Sequence, residues 1–362
     1  MDKKAIIDNV KTKLTDDIVH NREVLSQTIF DLQNSEDNEN KDEVLQELVQ
    51  MLNEYIDDDA RKELVEKISE TSTQFVDNLK KAEQLINEKK YAEAHPILDK
   101  LMEDAKPFIA MPSDGKFRYF DLSSPIEFAL YKHLKTINEE PLPYPIPISD
   151  AYFLKAVALN DEGKHQEAAN ILIEAIKFTP LNFNIIFEYS ETLKKLGMLD
   201  LFKEVTETVM SFAHLGRQVC QCFRNLAYYY EANQKRDIAT ALLSISFQYQ
   251  RTEENKKRVE KEFEFISQQA GQKYEFMEFE PTMQKLDEYK VPLCPSESVV
   301  EAYKKSLEEF KNSKDYYLYL VLLEGKYSIL PEQSDIDEHN RVAPLYEEEQ
   351  KRLRETALKN KA

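Results

Sequence analysis

A chain of 362 residues with 42% hydrophobic and 32% charged side chains exceeds one typical domain and can bury a substantial core. It holds only six glycines, and neither Gly nor Pro occurs before Pro96, which excludes a hairpin-rich all-β fold with its frequent turn residues. The net charge of −19, with 19 acidic against 9 basic residues in positions 1–74, repels phosphates and argues against nucleic acid or an anionic membrane as partner.

The opening "MDKKAIIDNVKTKLTDD" lacks the long apolar core of a signal peptide. The longest apolar run, "YYLYLVLL" at 316–323, is too short to span a bilayer. Three cysteines, Cys220, Cys222 and Cys294, make no disulfide framework. A soluble protein of the reducing cytoplasm is the expectation.

Ile18, Leu25, Ile29 and Leu32 repeat at helical spacing before the polar "NSEDNENK" interrupts them. Val44, Leu45, Leu48, Met51, Leu52 and Tyr55 form a second stripe, ending near the aspartates at 57–59 that suit the start of the next helix. Leu64, Ile68, Phe75, Leu79, Ala82 and Ile86 carry a third, with a break expected at "SETST" (69–73). Another helix starts near Tyr91, with Ala94, Leu98 and Leu101 inward and Pro96 tolerable only in its first turns. "FIAMPSDGKFRYF" (108–120) sets a Pro-Ser-Asp-Gly turn signal between short apolar runs and reads as a β-hairpin. "SSPIEFALYKHLKT" resumes a helix with Ser124 as cap and Pro125 at its first position. Four alternating prolines in "EEPLPYPIPISD" (139–150) then favour an extended strut. A stiff connector is its plainer reading, and a ligand for a proline-reading domain the sharper one.

The middle of the chain repeats. "AYFLKAVALNDEGKHQEAANILIEAIKFTPLN" (151–182) aligns with "IIFEYSETLKKLGMLDLFKEVTETVMSFAH" (185–214), with Gly163 and Gly197 34 residues apart and Ala156 and Ser190 likewise. A fixed spacing of 34 is the period of a helix-turn-helix repeat. A third copy reads "CQCFRNLAYYYEANQKRDIATALLSISFQYQ" (220–250), offset by 37 from Ser190 to Ala227. In these units Ala156 and Ala168 let two helices approach closely, Ala175 lets the next unit stack, and Pro180 stops the second helix.

Tyr152, Ala156, Gly163, Ala168, Leu172, Ala175 and Pro180 give this region a pattern that resembles the tetratricopeptide repeat (TPR) family, with Lys155 departing from its usual leucine. Lys155 is expected to face solvent or a groove edge. The three copies cover under a third of the chain, and Phe75 to Leu101 is a weaker fourth candidate without a turn glycine. Past 250 the repeat fades into one charged helix with Val259, Phe263 and Ile266 inward, an irregular connection at 278–298, and a helix capped by Ser296. The run at 316–330 reads as helix or hairpin, with helix preferred, and the tail beyond Pro331 as polar and partly helical near 347–360.

The fold expected is all-α: a TPR-like α-solenoid with an N-terminal helical region and a small β-hairpin insertion. Its parts are an acidic helical region (1–74), a helical hairpin with an irregular insertion and Pro-rich strut (75–148), the repeats (149–253), and a C-terminal helical region with a polar tail (254–362).

Little in the sequence points to catalysis. Six scattered glycines build no phosphate loop, and Cys220-x-Cys222 lacks a second ligand pair at zinc spacing. The six histidines form no local ligand motif, so neither cofactor nor metal is expected. The resemblance implies a non-catalytic scaffold or adaptor that binds a protein or peptide segment in a concave groove. Its groove positions fall on Phe153, Val157 and Asn160, then Phe187, Glu191 and Lys194, then Arg224, Tyr228 and Glu231. Some members of the family grip an acidic C-terminal tail with Lys and Asn in the first copy. Phe153 and Val157 stand there, and Glu191 and Glu231 offset Lys194 and Arg224, so an apolar or aromatic segment is expected instead. The rival readings are a peptide-responsive regulator acting by protein contact, and an enzyme with its site in the 108–148 insertion.

Overall fold

Apolar stripes at helical spacing and the scarcity of glycine give an almost wholly helical chain. The computed structural model describes residues 3–33, 41–55, 58–109, 117–122, 124–135, 140–249, 252–311, 313 and 315–359. Among these, seventeen α-helices and one pair of four-residue strands are present. In chain order they begin with α1 (Lys3–Lys11), α2 (Ile18–Gln33), α3 (Lys41–Asn53), α4 (Asp58–Asn87) and α5 (Tyr91–Ile109). Strand β1 (Phe117–Phe120), α6 (Pro125–Lys135) and β2 (Glu140–Pro143) follow. The paired helices α7 (Ile148–Asp161) and α8 (His165–Phe178), α9 (Phe183–Lys195) and α10 (Leu199–Met210), and α11 (Gly216–Ala232) and α12 (Arg236–Tyr249) come next. The last five are α13 (Glu253–Ala270), α14 (Phe279–Glu288), α15 (Glu297–Lys311), α16 (Tyr316–Ile329) and α17 (Gln333–Lys359).

The chain divides into two compact units, one of residues 1–122 and 137–180 and one of residues 123–136 and 181–362. These lines differ from the boundaries at 74, 148 and 253 drawn from the sequence, and α4 runs through residue 74 without interruption. In the first unit α4 packs on α5 and α7 on α8, with α5 also against α7. Helices α1 to α3 share a small core of their own, including Ile7, Leu25, Val44 and Leu48. In the second unit α9 packs on α10 and α11 on α12, with α10 against α11. There α13 and α14 both lie on α12, while α15 and α16 pack with α6 and with each other.

Four helical hairpins turn by one device. Lys89, Gly163, Gly197 and Gln234 each take a left-handed conformation, at φ +59°, +80°, +71° and +59°. The next residue's N–H then reaches back five positions: Lys90 N to Leu85 O (2.8 Å), Lys164 N to Leu159 O (2.8 Å), Met198 N to Leu193 O (3.0 Å) and Lys235 N to Tyr230 O (2.8 Å). That bond satisfies a carbonyl the helix end would otherwise orphan, and it needs positive φ. A Cβ at Gly163 or Gly197 would meet nothing within 4 Å, so the backbone angle and not lack of space favours glycine there. The spacing of these residues, 34 and then 37 from Gly163 through Gly197 to Gln234, is the spacing read from the sequence.

Small residues of the paired helices are fully enclosed. Ala156, Ala168, Ala175 and Ala239 have no exposed surface, and Ser190 and Ser246 have none either. The two serines satisfy their hydroxyls within their own helices, on Ile186 O (3.0 Å) and Leu243 O (2.7 Å), so a polar atom sits at the contact at little cost.

Several local expectations are corrected. The β-hairpin expected over 108–120 falls largely on residues 110–116, outside the described residues; on either side of them α5 continues to Ile109, and β1 pairs in parallel with β2, Phe117 opposite Glu140 and Phe120 opposite Pro143. Both strands are edges, which is where proline is tolerated in a sheet. The Pro-rich stretch thus begins as a strand, and Tyr144, Ile146 and Ile148 beyond it are buried. The break expected at 69–73 is absent, because α4 contains neither Gly nor Pro and Thr73 bonds back to Ser69 O (2.9 Å) without leaving the helix. Residues 279–288, read as irregular, form α14; Pro281 stands in its first turn, where a missing N–H costs nothing. The tail is helical through Pro344 to Lys359. Lys155 does not face open solvent: its side chain is 12% exposed and its ammonium lies 2.6 Å from Asp99 on α5. The run at 316–329 is helix, and Ser296 caps α15 through Val299 N (3.3 Å).

Two titratable groups, one half-buried and one fully buried, tie loops to helices. In the first unit, Asp121 accepts a short hydrogen bond from Ser149 N at the start of α7, while its carbonyl accepts from the Thr179 hydroxyl and its N–H donates to Phe178 O (3.2 Å). Burial pushes its carboxyl up to about 6 against the pull of the Ser149 bonds. In the second unit, fully buried His214 has Nδ1 3.1 Å from Phe212 O and Nε2 3.4 Å from the Gln218 amide nitrogen. An amide nitrogen only donates, so the neutral ring carries its proton on Nδ1. The His214 backbone donates to Gln218 Oε1 (2.9 Å), and its carbonyl accepts from the buried Tyr303 hydroxyl (2.6 Å). Burial, with the Arg217 charge adding to it, holds the imidazole down at about 4.

The folded state therefore binds the His214 proton less readily than the unfolded chain, whose value is near 6.5. Its contribution is complete above 6.5 and is lost as pH falls to about 4, on the order of 3 kcal/mol in all. Asp121 acts in the opposite sense, gaining stability as pH falls from about 6 toward 3.8, so the difference between proteins is the measure. Urea midpoints from pH 8 to 4 should fall more steeply for the wild type than for His214→Gln. Parallel curves would contradict a buried neutral imidazole.

Candidate functional site

The second unit contains a cavity of about 370 Å³ walled by α9, α11 and α13 with one residue of α12. Helix α9 brings Glu191 and Lys194 to it, three residues apart on one face. Helix α11 brings Gln221, Arg224, Asn225, Tyr228 and Glu231, again at spacings that share one face. Five of the nine groove positions expected from the sequence, Glu191, Lys194, Arg224, Tyr228 and Glu231, thus line one cavity. The other four do not. Phe153 and Val157 are half-buried on α7 in the first unit. Asn160 is buried, and its Oδ1 lies 3.0 Å from His165 Nδ1 across the α7–α8 turn, which commits it to the hairpin. Phe187 is half-buried and packs edge-on against Phe183, with ring centroids 5.4 Å apart.

The α13 wall was not visible in the repeat. Helix α13 buries Val259, Phe263 and Ile266, as its stripe predicts. One step round the helix, Arg258, Lys261, Glu262 and Phe265 face the cavity. The sequence carried one signal for this: Phe265 is apolar yet stands outside the inward stripe, and it is 54% exposed. Across the cavity Tyr228 is 47% exposed, so two aromatic rings remain available to a ligand.

The acids of the wall are each held by a cation. Glu191 lies 2.5 Å from Lys194, and Glu231 is 3.7 Å from Arg236. Arg224 grips Glu262 with two nitrogens, Nε at 3.2 Å and Nη2 in a shorter bond, clamping α11 to α13 across 38 residues of sequence. The guanidinium side chain is only 12% exposed, so this pair is little screened by water. Lys194 also stands over the Tyr228 ring (4.6 Å) and the Phe202 ring (5.1 Å), while Phe202 packs edge-on to Tyr228. The ammonium thus fixes the tyrosine ring and offsets Glu191 together. Lys194 and Arg224 are offset as the sequence suggested, although the partner of Arg224 is Glu262 and not Glu231.

Cys220 and Cys222 point away from each other on α11, as residues two apart on a helix must. Asn255 donates to the Cys220 sulfur at 3.6 Å, and burial pushes the Cys222 thiol well up. Among the described residues no group of three or more His, Cys, Asp or Glu could hold a metal ion. Among them, too, no helix is long and apolar enough to cross a membrane. No protein-family model matches the chain, and no curated protein sequence matches it significantly.

The thiols give a direct check on this packing. Cys220 and Cys222 are buried, and burial raises the partly covered Cys294 to about 12. Native protein at pH 8 should show no thiol reacting with Ellman's reagent within the first minute, and three after denaturation. A fast native thiol mapped to Cys220 or Cys222 would contradict the burial of α11.

Proposed function

We propose that this chain is a non-catalytic binding protein with TPR-like hairpins, whose partner is a protein or peptide segment seated in the cavity of the second unit. The observation that carries the reading is the convergence there of five groove positions, from two helices separated by a full repeat, around two exposed aromatic rings. The hairpins with left-handed turns at 34- and 37-residue intervals support the resemblance to the repeat family. A cavity of about 370 Å³ takes one or two side chains of an extended segment, and aromatic walls supply most of the affinity at such sites. Each acid in the wall is engaged by a cation, which leaves no free carboxylate there to act as a general base. The α13 wall borders the groove without filling it.

Tyr228 and Phe265 are exposed, so their removal leaves the core intact. The double variant Tyr228→Ala with Phe265→Ala should keep the wild-type melting temperature within about 2 °C and lose at least tenfold in affinity for peptides selected by the wild type. Unchanged affinity would rule the cavity out as the binding site.

A further inference from the structure

We propose that the cavity selects segments in which a carboxylate side chain stands beside an aromatic or branched apolar one, and that Arg258 and Lys261 bind the carboxylate. This rests on the peptide-binding reading above and gives the occupant its chemistry.

The charges of the wall make the case. Seven ionised side chains line the cavity: the cations Lys194, Arg224, Arg258 and Lys261, and the acids Glu191, Glu231 and Glu262. Lys194 and Arg224 are consumed by Glu191 and Glu262, and Glu231 by Arg236 from outside the wall. What remains is Arg258 and Lys261, which make no ion pair or hydrogen bond with any described residue. They stand three apart on α13, on the face that also carries Phe265. Two uncommitted cations beside an open aromatic ring stand out on a chain of net charge −19, where free acids are plentiful.

A second observation points the same way. Asn225, on α11, is 2% exposed and lines the cavity. Its Oδ1 accepts from Gln221 Nε2 at 2.8 Å, while its amide nitrogen donates to no described residue. That N–H group is therefore open to an acceptor on a ligand in the cavity. Asn225 suits either a carboxylate oxygen or a backbone carbonyl of the bound segment. With Tyr228 and Phe265 for an apolar side chain, the cavity offers acceptor-seeking and ring-stacking groups side by side.

The site lies outside the positions with which the repeat family grips a terminal carboxylate, since those are Phe153 and Val157 here. The carboxylate inferred belongs to a side chain within the segment, so a free C-terminus is not required.

The test uses the full chain against an arrayed library of random twelve-residue peptides with amidated ends. Wild type should enrich Asp or Glu next to Phe, Tyr, Leu or Ile. Both cations are solvent-exposed, so Arg258→Glu with Lys261→Glu should fold, as checked by an unchanged helical circular-dichroism spectrum. That variant should bind the selected acidic peptides at least tenfold more weakly, and its own selection should shift toward Lys and Arg. Peptides selected without acidic enrichment, or enrichment unaltered by the reversal, would overturn the inference while leaving the peptide-binding reading standing. A library in which wild type selects nothing would overturn both.

Discussion

The left-handed residue at the end of each first helix is the constraint on which the hairpins depend. It closes the orphaned carbonyls, fixes how the second helix returns, and thereby decides which residues meet across the pair. The helices then approach as closely as their smallest residues allow, and Ala156 on α7 and Ala227 on α11 are enclosed with almost no exposed surface. Where sequence supplies glycine, the turn is free of steric cost. Where it supplies Lys89 or Gln234, the same conformation is held against a cost of about 1 kcal/mol by the packing of the helices it joins.

The cavity follows from that geometry in the second unit. Each hairpin sets one face of its first helix on the same side, so Lys194 of α9 reaches the Tyr228 ring of α11. Helix α13 completes the enclosure through the Arg224–Glu262 clamp. Packing on the other face of α11 is apolar, with Cys222, Phe223 and Leu226 buried. The cavity thus meets apolar packing on its core side and carries charged and aromatic side chains where it opens to solvent.

How much of this was legible in the sequence depended on how local each signal was. Gly163 and Gly197 announced their turns because few other residues take positive φ freely, and the small residues at matching offsets announced the close contacts. The turns at Lys89 and Gln234 carried no compositional mark. Helix α14 was hidden by Pro281, which a first turn tolerates. The β1–β2 pair was hidden because a parallel partner lies across a crossover and leaves no turn signal between the strands. At the site, the α9 and α11 positions were readable through the repeat, whereas Arg258, Lys261 and Phe265 belong to a helix outside it. The Arg224–Glu262 pair, 38 residues apart, has no signature short of the fold.

Thermal unfolding of a single variant tests the account most directly. Ala156 on α7 is wholly enclosed, while Ala92 on α5 is exposed. If close approach at small residues sets the hairpins, Ala156→Phe costs about 1–3 kcal/mol or more and lowers the melting temperature by several degrees. Ala92→Phe should leave it within about one degree. An Ala156→Phe protein that melts with the wild type would contradict the account, since the helices would then not meet where their smallest residues lie.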